Sequence, residues 1–244
     1  MHIHIVTAVP AAMMTIPFVT YRALVLFDID GTLVRRAGPH HREALIEAVR
    51  RVAGLRTTTD GIPVQGMLDP DILTQMMRNA GAMPERIRAM MPDVIHAAEQ
   101  HYLRVCPPLQ GKHCPGVEPA LERLQRHGVL LGLVTGNLTR IGWRKLQRAG
   151  LRRYFRFGAF GEMARTRAGL VRKAIRDARL HGWIGSSARV SLIGDAPADI
   201  VAARANRIRI ISVKTGITPA EELHRLAPDF LLPNLRYLQM RMLE

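Results

Sequence analysis

The chain has 244 residues, of which 48% are hydrophobic and 23% charged. These proportions are ordinary for a globular protein and exclude general disorder, and the length suffices for a full core with an inserted unit. No stretch reaches the roughly 18 uninterrupted apolar residues that a membrane-spanning helix needs. No membrane partner is therefore expected.

The formal net charge of +15 is the unusual bulk property, and it comes from 31 arginines and only four lysines. A basic surface of this kind fits binding to nucleic acid or another polyanion. It also fits a proteome with an arginine-rich composition. The arginines are scattered along predicted helices, and only two Trp and four Tyr are available to stack on bases. The sequence therefore disfavours nucleic acid as a partner.

Residues 1–20 are apolar, but two prolines interrupt them and no basic segment precedes the apolar run. This pattern predicts a loosely ordered extension and argues against a signal peptide, so a cytoplasmic location is expected. Cys106 and Cys114 are the two cysteines, and the chain has no CxxC pair. Reduced thiols are favoured over a disulfide or a metal site.

The first predicted strand is the apolar run 23–27, and the next lies at 129–134. The segment between them is much longer than one crossover helix requires. An amphipathic pattern over 40–53 predicts a helix, and Asp69 followed by proline predicts the start of another through about Ala80. Pro84 and Pro92 are each expected to open a further helical stretch, ending before Cys106.

Two more buried strands are predicted at 190–194 and 208–213. The helical patterns between the later strands cover residues 117–127, 139–149, 168–180 and 197–205. Strands that alternate with helices in this way predict βαβ units and a parallel sheet with helices on both faces. The expected fold class is α/β: a Rossmann-like, doubly wound core formed by residues 21–36 and 110–244, with a helical cap domain at 37–109.

Polar clusters directly follow three of the predicted strands. The motif Asp28-Ile29-Asp30-Gly31-Thr32 follows the first, Thr135-Gly136-Asn137 the second, and Gly194 to Asp199 the third. Each cluster alone also fits a turn or a helix cap. Their coincidence with three strand ends is not explained by capping, because in such sheets ligands bind beyond the carboxyl ends of the strands.

With these motifs in place, the sequence resembles the haloacid dehalogenase superfamily over about residues 22–232. DIDGT, TGN and GDAPAD are similar to its motifs I, II and IV. Weaker matches are Pro115-Gly116-Val117, the Lys145-Leu146 pair with the Gly-Leu and Tyr-Phe pairs that follow it, and Val213 to Gly216. Within the superfamily, the chain is most similar to the phosphoglycolate-phosphatase-like branch, which carries a helical cap between motifs I and II.

The resemblance implies a role for each matching residue. Asp28 would attack phosphorus and form an aspartyl-phosphate, and Asp30 would act as general acid and then as base. Mg²⁺ would be held by Asp28, Asp195 and the backbone carbonyl of Asp30. Thr135, Gly136 and Asn137 would bind the transferring oxygens, and Asp199 would orient its neighbours.

One position departs from the family pattern. Relatives usually have a lysine between motifs II and IV, whereas this chain has Arg165-Thr166-Arg167. Arg167 is the preferred substitute because its spacing to Leu170 and Ala174 suits an arginine form of the motif, and Arg165 is the alternative. An arginine still balances charge and binds phosphate through two N–H groups.

The substrate class follows less directly. Asp30 favours phosphoryl transfer over dehalogenation, since a halide leaving group needs no proton. Gly66 and Asp69 are expected to face the site from the cap, although Asp69 also fits a helix cap. The pair His40 and His41, with Arg42, is a weaker candidate, because such a histidine pair is more often solvent-exposed.

The sequence therefore predicts a Mg²⁺-dependent phosphatase acting on a small phosphorylated metabolite, phosphoglycolate-like or a sugar phosphate. The alternatives are a phosphomutase and a degenerate family member that binds nucleic acid. A monomer and a homodimer fit equally well.

Overall fold

The computed structural model describes residues 20–35 and 37–243, and the predicted extension therefore lies outside the described residues except for Thr20. Within the described chain, one sheet of six strands forms the centre of the fold. The strands are β1 (Tyr21–Phe27), β2 (Val129–Val134), β3 (Phe157–Ala159), β4 (Ile184–Gly194), β5 (Arg209–Val213) and β6 (Phe230–Leu232).

All neighbouring strands pair in parallel, in the order β3-β2-β1-β4-β5-β6. The first strand in the chain is thus central, with β2 on one side and β4 on the other. The chain order reverses direction at β1, which makes this a doubly wound sheet. The register aligns Phe27 with Leu133 and with Ile193, so three strands end at nearly the same level.

Eight α-helices lie in the described ranges. They are α1 (His40–Ala53), α2 (Asp69–Asn79), α3 (Pro84–Val105), α4 (Val117–Arg126), α5 (Thr139–Arg148), α6 (Arg167–Leu180), α7 (Pro197–Ala205) and α8 (Ala220–Arg225). None of these helices is long and apolar enough to cross a membrane.

The two faces of the sheet bury different sets of side chains, as the period of two in a strand requires. Val25 and Phe27 of β1 pack in a core with α4 and α5, while Leu24 and Leu26 pack in a second core with α6 and α7. Because both faces are covered, β2 is buried along its whole length. The expected α/β core is confirmed, with β3 and β6 as edge strands that the sequence patterns did not reveal.

Helices α1, α2 and α3 fill the insertion between β1 and β2. The prediction of two helical stretches opened by Pro84 and Pro92 was wrong, since α3 runs through Pro92 without a break. Pro92 is exposed and lacks only one N–H donor there, and packing of the buried residues Ile87, Val94 and Tyr102 outweighs that loss. The division into a cap (37–109) and a core stays a prediction.

Candidate active site

The three polar clusters meet at the carboxyl edge of the sheet, as predicted from the strand ends. They line a cavity of about 710 Å³ that also receives residues of the α1–α2 segment. Asp28, Thr135 and Asp195 line it directly after β1, β2 and β4 respectively, and each of these residues is at least 95% buried. The convergence follows from the shared level at which the parallel strands end.

Three carboxylates come close enough to hold one cation. One oxygen from each of Asp28, Asp195 and Asp199 lies within 4.8 Å of the other two. Thr32 donates a hydrogen bond to Asp195 Oδ1 over 3.0 Å, which fixes that carboxylate. Hard oxygen donors of this kind suit Mg²⁺.

Glycines on either side of Asp195 make room for its carboxylate. A Cβ on Gly31 would lie 2.3 Å from Asp195 Oδ2, and a Cβ on Gly216 only 1.7 Å from it. Both distances are far below van der Waals contact, so no larger residue fits without moving the carboxylate. Gly31 also has φ +84°, a left-handed backbone conformation that favours glycine.

Burial and the neighbouring carboxylates raise the pKa values of Asp28 and Asp195 above the usual range. Burial raises the pKa of Asp28 to about 6, although the guanidinium of Arg167 counteracts part of the shift. Burial and repulsion from Asp28 and Asp199 raise the pKa of Asp195 to about 8. A cation between the two carboxylates would remove this cost, and the residues present therefore fit a divalent metal.

Arg167, at the start of α6, is the basic residue beside Asp28. Its Nη1 lies 2.6 Å from Asp199 Oδ1 and 3.3 Å from Asp28 Oδ1, whereas Arg165 is exposed. The remaining oxygen of Asp199 accepts a hydrogen bond from the backbone N–H of Ala196. Asp199 thus orients Arg167. The Nε of Arg167 is buried without a hydrogen-bond partner among the described residues.

Asp30 is held by a lysine that belongs to one of the weaker sequence matches and to which no role was assigned there. Lys145 Nζ lies 2.8 Å and 2.6 Å from the two carboxylate oxygens of Asp30, and it also donates to Asn137 Oδ1 over 2.6 Å. Burial raises the pKa of Asp30, but the charge of Lys145 and the hydrogen bonds from Lys145 and Asn137 outweigh burial and leave the pKa below its usual range. About 44% of the Asp30 side chain is exposed.

The Thr-Gly-Asn cluster is tied to the same network. The Nδ2 of Asn137 donates to Asp30 Oδ2 over 2.8 Å and to Thr135 Oγ1 over 2.7 Å. A Cβ on Gly136 would lie 2.2 Å from the carbonyl oxygen of Met67. Glycine at this position therefore allows the segment before α2 to pack directly on the loop after β2.

Asp69 and His41 reach the site from the helical insertion. Asp69 Oδ2 accepts from the buried backbone N–H of Leu138 over 2.9 Å and lies 2.9 Å from His41 Nε2. Lys145 can only donate, so the His41 Nδ1 that faces it at 3.1 Å accepts, and Nε2 carries the hydrogen donated to Asp69.

The candidate residues of the insertion differ in whether they reach the cavity. Gly66 and Asp69 both line the cavity, and Leu68, not Asp69, occupies the position before α2 where a cap would lie. Of the weaker candidates His40 and His41, the structure brings His41 into this network, where its side chain is 23% exposed. His40 instead lies beside Glu43 at 3.4 Å.

Lys145 is the main residue whose place in the site the sequence motifs did not predict, although the Lys145-Leu146 pair is one of the weaker family matches. It is 1% exposed and lies on the buried face of α5, one turn after the buried Ile141. A lysine on the apolar face of an amphipathic helix was the available signal, since a buried ammonium group requires partners. Cys106 and Cys114 are buried and free, and neither is among the candidate metal ligands.

Comparisons with known proteins agree with this geometry. A model of the haloacid dehalogenase-like hydrolase family matches residues 23–206. A phosphoglycolate phosphatase from Agrobacterium fabrum is 25% identical over 230 residues, which cover 91% of this chain and 92% of that protein.

Two solved structures share the fold at low identity. CbbY from Rhodobacter sphaeroides, in complex with xylulose-(1,5)bisphosphate, superposes with a TM-score of 0.71 at 18% identity, over 92% of this chain and 100% of that chain. A β-phosphoglucomutase from Clostridium difficile gives a TM-score of 0.66 at 16% identity, over 91% and 95% of the two chains.

The doubly wound sheet with an aspartate site at its carboxyl edge defines the class of protein, a hydrolase of phosphoric monoesters. The chain belongs to the haloacid dehalogenase-like hydrolase family.

Proposed function

We propose that the chain is a Mg²⁺-dependent phosphatase that hydrolyses a small phosphate monoester, phosphoglycolate-like or a sugar phosphate, through an aspartyl-phosphate on Asp28. The observation that carries the proposal is the meeting of Asp28, Asp195 and Arg167 in the lining of one cavity, with Arg167 Nη1 3.3 Å from Asp28 Oδ1. A phosphate group placed there would pair with the guanidinium of Arg167, and a cation held by the aspartates would offset its repulsion from their carboxylates.

Asp28, Asp195 and the backbone carbonyl of Asp30 would hold Mg²⁺, which supplies positive charge to offset repulsion between the carboxylate and the phosphate. With a pKa of about 6, Asp28 is mostly ionised at neutral pH even before any metal is considered. Its free oxygen would attack phosphorus, and the bond between phosphorus and the ester oxygen would break. Arg167 would bind the equatorial oxygens, together with Thr135 and the backbone at Gly136 and Asn137.

Asp30 would protonate the departing ester oxygen and then accept a proton from the water that hydrolyses the aspartyl-phosphate. The Lys145 pair favours the ionised carboxylate, which is the form that accepts a proton. For the first step Asp30 must gain a proton, and loosening of the Lys145 contact would allow this. We infer that Lys145 controls the protonation state of Asp30. With the contact intact Asp30 is ionised and can accept a proton in the second step, and with the contact loosened it can hold the proton that the first step needs.

The cavity supports a small substrate. Residues of the helical insertion such as Gly66 and Asp69 close one side of it, and the volume of about 710 Å³ suits a metabolite. The names of the relatives, a phosphoglycolate phosphatase and a protein bound to a sugar bisphosphate, support the same substrate range.

The test is phosphate release from a panel of small esters with and without Mg²⁺, with Asp28→Asn beside the wild type. We expect metal-dependent release by the wild type and a loss of at least 1,000-fold (an order-of-magnitude expectation) in the variant, because the amide cannot form the acyl phosphate. Interconversion of sugar phosphates without net release would instead identify a phosphomutase. A folded wild type that releases no phosphate from any ester would refute the phosphatase proposal.

A further inference from the structure

A second cavity lies at the opposite end of the sheet from the active site. It is a groove of about 700 Å³ between the C-terminal half of α6, the middle of β4 and the turn that leads into β5. Arg167 and Arg179 stand at the two ends of α6, and twelve residues of helix separate them by roughly 18 Å. The groove is therefore distinct from the catalytic cavity.

Arginines dominate the lining of this groove, which is called the arginine groove below. The arginines are Arg172, Arg176, Arg179, Arg189, Arg207 and Arg209. Six of its 14 lining residues are thus arginine, against 31 of 244 in the whole chain, and none of the 14 is acidic. If arginines were spread evenly over the chain, a lining of this size would contain about two of them.

Few of these guanidinium groups are neutralised within the described residues. Arg176 lies 3.8 Å from Asp177, and Arg209 donates to the carbonyl oxygen of Met242 over 3.2 Å. Arg172, Arg179, Arg189 and Arg207 form no ion pair or side-chain hydrogen bond in residues 20–35 and 37–243. Four like charges thus face one concave surface without a counter-charge.

Helix electrostatics explains only part of this cluster. Arg179 lies in the last turn of α6, where a cation interacts favourably with the helix dipole. The helix dipole does not explain Arg189 on β4, Arg207 before β5 or Arg209 at the first position of β5. Repulsion between these guanidinium groups destabilises the cluster. A bound multivalent anion would attract all of them and make the net electrostatic energy favourable.

The floor of the groove is partly apolar. Ile175, Val190 and Ile208 contribute to it, and Leu180 at the rim is 77% exposed. A compact, half-apolar concavity of this volume suits a small ligand with concentrated charge better than an extended polymer backbone.

We propose that the arginine groove is a binding site for an oligophosphate, a ligand with several consecutive phosphate groups, either free or carried by a nucleoside. Guanidinium groups bind phosphate oxygens through paired N–H donors, so several of them arranged around one concavity match a chain of phosphates. The site would act apart from catalysis.

The test compares binding of inorganic triphosphate, ATP and adenosine to the wild type and to two triple variants by calorimetry, in chelator to weaken binding at the metal-dependent site. The groove variant is Arg179→Gln/Arg189→Gln/Arg207→Gln. The control is Arg56→Gln/Arg126→Gln/Arg225→Gln, which removes three exposed arginines elsewhere and therefore matches the change in net charge.

We expect the groove variant to bind triphosphate at least ten-fold more weakly and the control variant to change by less than about two-fold, while both keep wild-type phosphatase activity and circular dichroism. Affinity should fall as NaCl is raised, because the contacts are between exposed charges. Tighter binding of ATP than of triphosphate would identify the nucleoside-borne form, and equal binding the free form.

Three outcomes would overturn the proposal: no binding of triphosphate or ATP to the wild type, equal affinity in the wild type and the groove variant, or equal losses in both triple variants. A fourth is tight, groove-dependent binding of single-stranded RNA without binding of either oligophosphate. That result would assign the groove to nucleic acid.

Discussion

The carboxyl group of Asp30 accepts hydrogen bonds from Lys145 and Asn137, and these two partners determine when Asp30 carries a proton. The ammonium group contacts both carboxylate oxygens and makes its ionised form the stable one. In a reaction that needs Asp30 first protonated and then ionised, such a partner controls the balance between the two forms. Lys145 is therefore a positioning residue that acts through Asp30.

Replacement of Lys145 by methionine tests this role at the residue scale. Burial still acts on Asp30 in the Lys145→Met variant while the opposing charge is gone, so the pKa of Asp30 should rise. We expect kcat/KM to fall by about ten-fold or more, and the pH limb set by Asp30 to move to higher pH. The measurement is the pH dependence of kcat/KM at saturating Mg²⁺.

Lys112→Met is the control for this variant, because Lys112 is exposed and makes no side-chain hydrogen bond among the described residues. It should leave the profile unchanged. A Lys145→Met enzyme with lower activity but an unshifted profile would mean that Lys145 serves only the packing of α5.

At the scale of elements, the helical insertion is attached to the core through the first residue of α2. The backbone N–H of Asp69 donates to the carbonyl oxygen of Gly136, and its carboxylate accepts from the N–H of Leu138, just before α5. The same carboxylate contacts His41 of α1. One side chain thus joins α1, α2 and the loop after β2, on the wall of the cavity.

Asp69→Ala should therefore destabilise the protein by about 2 kcal/mol or more, because the buried N–H of Leu138 loses its acceptor. Asp71→Ala is the matched control, since Asp71 lies in the same first turn of α2 but is exposed. It should cost less than about 0.5 kcal/mol, the usual range for a surface substitution. Urea denaturation of both variants measures the difference, and equal costs would show that the helix dipole alone explains Asp69.

At the scale of the whole molecule, the metal site links stability to pH. Carboxyl groups ionise near pH 4 in the unfolded chain, whereas burial raises the pKa values of Asp28 and Asp195 to about 6 and about 8 in the fold. The folded state then binds more protons than the unfolded state between these limits. The contribution of these two groups to the free energy of unfolding is therefore most favourable below about pH 4. It is lost as the pH rises through their folded-state pKa values to about 8.

The stabilisation by Mg²⁺ should consequently grow as pH rises from 5.5 to 8.5, because a cation favours the ionised carboxylates that are costly without it. The measurement is the unfolding temperature at each pH, with Mg²⁺ and with chelator. Taking the difference between the two temperatures removes the effect of groups that titrate but do not contact the metal. A shift that is constant with pH would contradict the assignment of these aspartates to the metal.

Gly216→Ala and Gly185→Ala provide the paired variants for that measurement. A methyl group at 216 would displace the Asp195 carboxylate, whereas one at 185 would meet nothing within 4 Å. The Mg²⁺-dependent shift should disappear in the first and persist in the second.

The sequence by itself determined the core fold and the set of aspartates. Apolar runs that end at Asp28, Thr135 and Asp195 predict both the parallel strands and their common edge, because strand period and chain direction are local properties. The short edge strands β3 and β6 could not be predicted in this way, since three residues are too few to show a period. The continuous helix through Pro92 depends on packing that no local signal reports.

Only the tertiary structure decided which side chains act together. The choice of Arg167 over Arg165 as the neighbour of Asp28, the contact between Lys145 and Asp30, and the capture of His41 by Asp69 all join residues far apart in the chain. The same holds for the arginines, which are dispersed in the sequence yet meet in one groove because α6, β4 and β5 are packed side by side. Distances between charges are properties of packing, and packing is what a sequence pattern leaves open.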